Sequence, residues 1–378
     1  MYDTTKRHKI ALICDDINWI IDDETSYKHG GAGTVIRNLY LCLVKKQDYI
    51  IEIYTYKSSK FKYEQNNTKE ISIKEIIGNK PLYFLNEYLQ TQNYENIISM
   101  IKKPYFNGTL LQSHSIQHRL NKVLFFIRPF RYFFKDKKRM QTEQQVFSQY
   151  GNNKRFIAVS HIVKEDYVKN LNIKPSQIVV VYPGCVQQIQ SQNIKNDCIS
   201  FGIVANRSIN KGGHLFLLAL GIAKVFNVKF KVHIIAPLYK KDLLLRGITF
   251  LFGLKKSLTV YDKQKNMNNF YNNIDCLVVP SQNETFGLVC TEAMSHCKTV
   301  LVSNTAGCSE LLTYNSGFTF KRNSLIDFVR KIIKIINIYD YDYEYFEELR
   351  KNSYKISQQY CWEKFTNKIL EHTKLNCI

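Results

Sequence analysis

Two glutamates, Glu284 and Glu292, stand in the segment PSQNETFGLVCTEAM, separated by seven residues. Glu284 follows a β-branched apolar run and precedes Gly287, so it reads as a loop residue. Glu292 reads as the second turn of the next helix, roughly 7.5 Å in at about 1.5 Å per residue. Two carboxylates then flank the amides that open one helix. Carboxylates accept hydrogen bonds from paired sugar hydroxyls, and helix-start amides suit a phosphate. A sugar at each end of a phosphate describes a nucleotide-sugar. A second loop, Asn-Arg-Ser-Ile-Asn-Lys-Gly-Gly, sets Arg207 and Lys211 between a strand and a helix. A guanidinium fork with an ammonium point charge suits a diphosphate. A third loop, HGGAG, carries Gly30, Gly31 and Gly33 at a helix start, where glycine lets backbone approach a ligand. It is neither a dinucleotide fingerprint, since Ile36 holds the third glycine place, nor a Walker loop, since no Gly-Lys-Ser/Thr follows.

These loops need a scaffold of strands and crossover helices, and the chain alternates the two patterns. KIALIC (9–14), YIIEIYTY (49–56), GTLLQSHS (108–115), FIAVS (156–160) and IVVVYPG (178–184) read as strands of a first unit, with a helix from about Thr34 to Lys46. The polar, aperiodic stretch from Cys185 to Asp197 reads as a linker. The alternation restarts with ISFGIV (199–204), a helix near His214–Phe226, FKVHIIA (230–236), LTVY (258–261), a helix near 265–272, DCLVVP (275–280), a helix from about Gly287, and KTVLVS (298–303). A last helix is expected near Trp362–Lys374. The predicted organisation is an α/β fold with a first domain over 1–186, a second over 187–358, and a C-terminal helix over 359–378 packing back on the first.

The 378 residues are 45% hydrophobic, enough to bury a large core without staples, which excludes global disorder. Ten cysteines form no CxxC pair and several sit in apolar runs, so reduced thiols in a cytoplasmic protein are expected. The N-terminal apolar run is too short for a secretory signal, and no stretch is long enough to be read as a membrane span. The formal net charge is +21. Such a charge points to anionic partners and says little about fold. Nucleic acid is not expected, because no helix-turn-helix, zinc finger or RNP-like motif accompanies the charge. Between Ile101 and Arg139 ten basic residues face one acid, Asp136, and over 119–139 they interleave with Phe125, Phe126, Phe130, Tyr132, Phe133 and Phe134. That mixture suits the surface of an anionic bilayer on its cytoplasmic side.

The stretches HGGAGTVIRNL, SHS, FIAVS…VYPG, ANRSINKGG and PSQNETFGLVCTEAM resemble, in this order, the family 4 retaining glycosyltransferases of the GT-B fold. The resemblance covers most of the chain and is strongest from Ile199 to Leu312. It implies two Rossmann-like domains with parallel sheets facing a central cleft, and a nucleotide-sugar donor held mainly by the second. By that resemblance Arg207 and Lys211 neutralise the leaving diphosphate, Glu284 contacts the transferred sugar and Glu292 the nucleotide ribose. Amides around Phe286, Gly287 and Leu288 line the phosphate and sugar pocket, and Gly30 and Gly31 bring amides to the same phosphate. His114 matches a histidine facing the reacting sugar. The implied activity is hexosyl transfer with retention to a lipid-linked or glycan acceptor, in surface polysaccharide biosynthesis; another nucleotide-sugar enzyme of this fold, such as an epimerase, is the alternative. No cofactor and no metal are expected. Asp340-Tyr341-Asp342 imitates an Asp-x-Asp metal motif but lies in a tyrosine-rich stretch away from the loops, and the cations with a helix start already supply positive potential. Ser295-His296-Cys297, Ala236-Pro237-Leu238 and Cys185-Val186 depart from the family's usual glycines and acid at these places.

Overall fold

A computed structural model of the chain describes residues 8–16, 30–46, 48–57, 72–75, 94, 96–99, 109–112, 141, 144–145, 147–148, 155–188, 195–205, 210–313 and 315–373. The chain divides into two compact units. The first comprises Met1–Pro183 and Trp362–Ile378, and the second Gly184–Cys361.

In the first unit the strands are β1 (His8–Asp16), β2 (Tyr49–Lys57), β3 (Ser72–Glu75), β4 (Asn96–Ser99), β5 (Thr109–Gln112), β6 (Arg155–Ala158) and β7 (Ile178–Val180). They form one parallel sheet in the order β3-β2-β1-β4-β5-β6-β7. Ile10 of β1 stands opposite Ile51 of β2 on one side and Asn96 of β4 on the other. β1 reads as a continuous apolar run, as a strand covered on both faces should; Ile10 to Cys14 are fully buried. Helix α1 (Gly30–Val44) follows β1 and buries Val35, Ile36, Leu39 and Leu43. Helix α2 (His161–Leu171) is capped by Ser160, which accepts the Val163 amide at 3.2 Å.

The second unit carries β8 (Ile199–Val204), α3 (Gly213–Lys224), β9 (Phe230–Ile235), α4 (Leu243–Leu251), β10 (Leu258–Tyr261), α5 (Asn268–Asn272), β11 (Cys276–Val279), α6 (Leu288–Ser295), β12 (Thr299–Ser303), β13 (Phe318–Phe320), α7 (Leu325–Tyr341) and α8 (Tyr343–Ser357). Its parallel sheet runs β10-β9-β8-β11-β12-β13. Alternate residues of each strand serve opposite faces. Phe201, Cys276, Val278 and Leu301 join one apolar cluster with Phe216, Leu220, Phe328 and Ile332. Leu277, Val279, Val300 and Val302 join another with Phe270, Tyr271, Cys290 and Met294. Each such large side chain, fully buried, contributes about 1.5–3 kcal/mol relative to exposure.

A final helix, α9 (Trp362–Thr373), belongs to the first unit. It packs on α1, and Arg155 donates from Nη1 to the His372 carbonyl at 3.2 Å. Several elements exceed what the sequence pattern announced. β3, β4 and β13 are only three or four residues long. α7 and α8 meet in the tyrosine-rich stretch around Asp340-Tyr341-Asp342, where the sequence pattern announced no helix. There Asp342, the metal-motif mimic, accepts the Tyr345 amide at 3.2 Å and so caps α8.

Candidate active site

In the second sheet the sequence order reverses between β8 and β11, which lie side by side. Open α/β sheets bind ligands where the strand order reverses, beyond the carboxyl ends of the strands. The loops leaving β8 and β11 are those that carry Lys211 and Glu284.

Backbone contacts join these two loops. The Gln282 amide donates to the Asn210 carbonyl at 3.2 Å. Gly212 holds φ +72°, and a Cβ there would stand 2.2 Å from the Pro280 carbonyl oxygen, so only glycine fits. This close approach delivers Lys211 to Glu284. The Lys211 ammonium donates to Glu284 Oε2, closing an ion pair between the loops. The Glu284 side chain is the more sheltered of the two, at 13% exposed against 39% for Lys211.

The loop after β12 fastens the other side of Glu284. Glu284 pairs with Ala306 in an isolated parallel bridge. The Gly307 amide reaches the Glu284 carbonyl at 3.3 Å, and the Cys308 amide reaches the Phe286 carbonyl at 2.7 Å. Gly287 then takes φ +99° at the entry of α6, with the place of a Cβ only 3.0 Å from Cys308 Sγ and 3.2 Å from Glu284 Cγ. No side chain caps this helix start, and the amides that open a helix have no partner within it. Glu284 therefore lies directly beside the positive end of α6. Phe286 turns its ring into the core, where it is buried.

Glu292 lies in the second turn of α6 and does not touch the pair. Its Oε2 accepts the Tyr271 hydroxyl at 2.6 Å. Tyr271, from α5, is itself buried, and its ring lies 4.8 Å from that of His296. His296 Nδ1 is 2.8 Å from the Glu292 carbonyl and Nε2 is 3.2 Å from Asn268 Oδ1. Burial raises the Glu292 carboxyl above the usual carboxylate range, and the bond from Tyr271 draws it partly back. Burial and then the Glu292 charge push the Tyr271 phenol well above its ordinary value. Burial likewise holds His296 below the usual imidazole range. Tyr271 escaped the motif reading because its partner is 21 positions away; the usable signal was that a phenol packed into a core needs an acceptor.

The structure thus brings Lys211, Glu284, Gly287 and Leu288 together, with Glu292 further along the same helix. Gly30 and Gly31 open α1 in the first unit. Arg207, His114 and the basic segment 119–139 lie outside the described residues. Among the described residues no group of His, Cys, Asp and Glu could hold a metal ion, no cysteine forms a disulfide, and no helix is long and apolar enough to cross a membrane.

Two Rossmann-like units with parallel sheets of these strand orders define the GT-B fold of glycosyltransferases. Residues 187–356, which span the candidate site, match the model of the glycosyl transferases group 1 family. The chain is 28% identical over 225 residues to an uncharacterized glycosyltransferase of Methanocaldococcus jannaschii, a match covering 56% of this chain and 57% of the relative, so a little over half of each. Among solved structures, sucrose-phosphate synthase from Thermosynechococcus elongatus superposes with a TM-score of 0.70 at 16% identity, covering 97% of this chain and 98% of that one. HepE of Anabaena, solved in complex with UDP and glucose, gives 0.69 at 16% identity over 97% and 99% of the two chains.

Proposed function

We propose that the chain transfers a hexose from a nucleotide-sugar donor to a lipid-linked or glycan acceptor, with retention at the anomeric carbon, in the making of a surface polysaccharide. The joining of Lys211 to Glu284 beside the start of α6, at the switch point of the second sheet, carries this reading. In it the donor diphosphate lies against the α6 amides and Lys211, with Arg207 as the second cation. Glu284 receives the transferred sugar and Glu292 the ribose, while amides around Phe286, Gly287 and Leu288 border both. In the first unit, Gly30 and Gly31 offer backbone amides to an anion and His114 faces a sugar. Anionic lipid met by residues 119–139 would hold the protein on the inner face of the cell membrane.

Retention here needs no carboxylate pair of the glycosidase kind. The bond from the anomeric carbon to the leaving phosphate oxygen breaks as the acceptor oxygen bonds the same face. That phosphate oxygen takes the acceptor proton while Lys211 and Arg207 stabilise its charge. Preorganised electrostatics of this type supplies much of an enzyme's acceleration. HepE's complex with UDP and glucose favours a uridine nucleotide as the first donor to try.

The test incubates the full chain with UDP-hexoses, with and without a lipid-linked acceptor, and follows nucleotide release and the anomeric proton of the product by NMR. Acceptor-dependent release with an α-linkage from an α-donor is expected. Interconversion of the donor sugar without acceptor would establish the epimerase alternative instead.

A further inference from the structure

Helix α4 of the second unit is apolar on the wrong side. Leu245 and Thr249 turn into the core, while Leu243, Leu244, Phe250 and Leu251 are exposed, at 78%, 48%, 88% and 75%. With Gly247 these residues fall within an arc of about 120° at 3.6 residues per turn, so they form one continuous stripe facing water. The end of α3 extends the stripe. Lys224 donates from Nζ to the Gly253 carbonyl at 2.9 Å, tying the two helix ends together, and the next residues, Val225 and Phe226, are 77% and 63% exposed.

The rim of the patch is basic. Lys240, Lys241, Arg246, Lys255 and Lys256 are all exposed around α4. The only acid between Lys224 and Lys256 is Asp242, and its carboxylate is engaged with the Leu245 amide at 3.1 Å as the helix cap. A protein partner of mixed surface would meet several cations here without matching acids. A bilayer of anionic lipid meets every requirement at once: apolar side chains enter the acyl boundary, and lysine and arginine stems reach up to the headgroups.

We propose that α4, with the adjoining end of α3, is a membrane-docking face that lies in the plane of an anionic bilayer. The proposal is independent of the reaction assigned to the chain and of residues 119–139. It makes the second unit a lipid-contacting body.

Flotation of the full chain with phosphatidylglycerol/phosphatidylcholine vesicles tests it. Phe250→Ser with Leu251→Ser should lower the partition coefficient at least about tenfold, since two large apolar side chains leave the interface. Lys255→Gln with Lys256→Gln should weaken binding to the anionic vesicles alone. Ile326→Ser, which removes another exposed apolar side chain (68%) elsewhere on this unit, should change nothing. Circular dichroism confirms folding of each variant, and transfer to a soluble acceptor reports the active site separately. Unchanged flotation of both the Phe250/Leu251 and the Lys255/Lys256 variants overturns the proposal, even where neutralising Lys135, Lys137 and Lys138 abolishes binding. So does a wild-type dimer in analytical ultracentrifugation that the Phe250/Leu251 variant splits without loss of vesicle binding, because a second copy of the chain would then cover the stripe.

Discussion

Lys211 and Glu284 are paired across two loops, so each fixes the position of the other. By the proposed role, Lys211→Ala removes one charge-stabilising donor, and turnover should fall about 10²-fold or more, the effect of one such lost contact. Because the side chain is partly exposed, melting temperature should hardly move; near-normal turnover with every accepted donor would dismiss the role. Glu292 poses a different balance. Its folded pKa lies above the unfolded one because burial disfavours the carboxylate. Stability from this group is therefore full below the ordinary glutamate range and is lost as pH rises through the native pKa. Glu292→Gln should raise the melting temperature at neutral pH and flatten its decline from acid pH. By the proposed role it should also weaken donor binding in calorimetry. A variant that melts lower at neutral pH and binds donor as before would defeat both expectations. Glu284 and Glu292 were legible from their spacing. The ion pair and the Tyr271 bond were not, because both join side chains brought together only by the sheet.

The second sheet positions its loops through two glycines with positive φ. Gly212→Ala would drive a methyl into the Pro280 carbonyl, whereas Gly287→Ala would press on Cys308 Sγ and the flexible Glu284 side chain. Urea denaturation should show both variants destabilised by about 1–3 kcal/mol from backbone strain, with Gly212→Ala the worse. Equal, negligible losses would mean that the loops readily reshape. Strands such as ISFGIV and LTVY read with the same bounds in sequence and structure. A β-branched run bounded by polar residues leaves little choice of ends, most clearly in ISFGIV, which is almost wholly buried. Helix α4 did not, since apolar residues lie on its outward stripe and on its core side alike, and the sequence does not show which of them is buried. β13, three residues long, falls below the length at which a pattern exists.

Across the second unit, the end of the sheet opposite the candidate site holds a set of buried charges. Asp275, Lys298 and Arg350 are at most 4% exposed. The Ser200 amide donates to Asp275 at 2.9 Å, Arg350 donates from Nε to the Cys297 carbonyl at 2.8 Å and pairs with Glu347, and Ser353 donates to the Lys298 carbonyl at 2.9 Å. Burial, with the neighbouring Arg350 charge, lowers Lys298 to about 8, while Asp275 opposes the shift. Below that pH the lysine is charged in both states and its burial penalty stands in full. As pH rises through about 8 the native state sheds the proton first, so stability should climb until the unfolded lysine titrates too. Chemical denaturation across this alkaline window should show the climb in the wild type, and Lys298→Met should abolish it; an identical profile in the variant would sink the assignment. At the other end of the same sheet, the meeting of Asn210 with Gln282 and of Gly212 with Pro280 bears on engineering. By the proposed function, donor preference in this chain should be portable between relatives only as a two-loop cassette, because a graft of either loop alone imports a backbone whose mate has stayed behind.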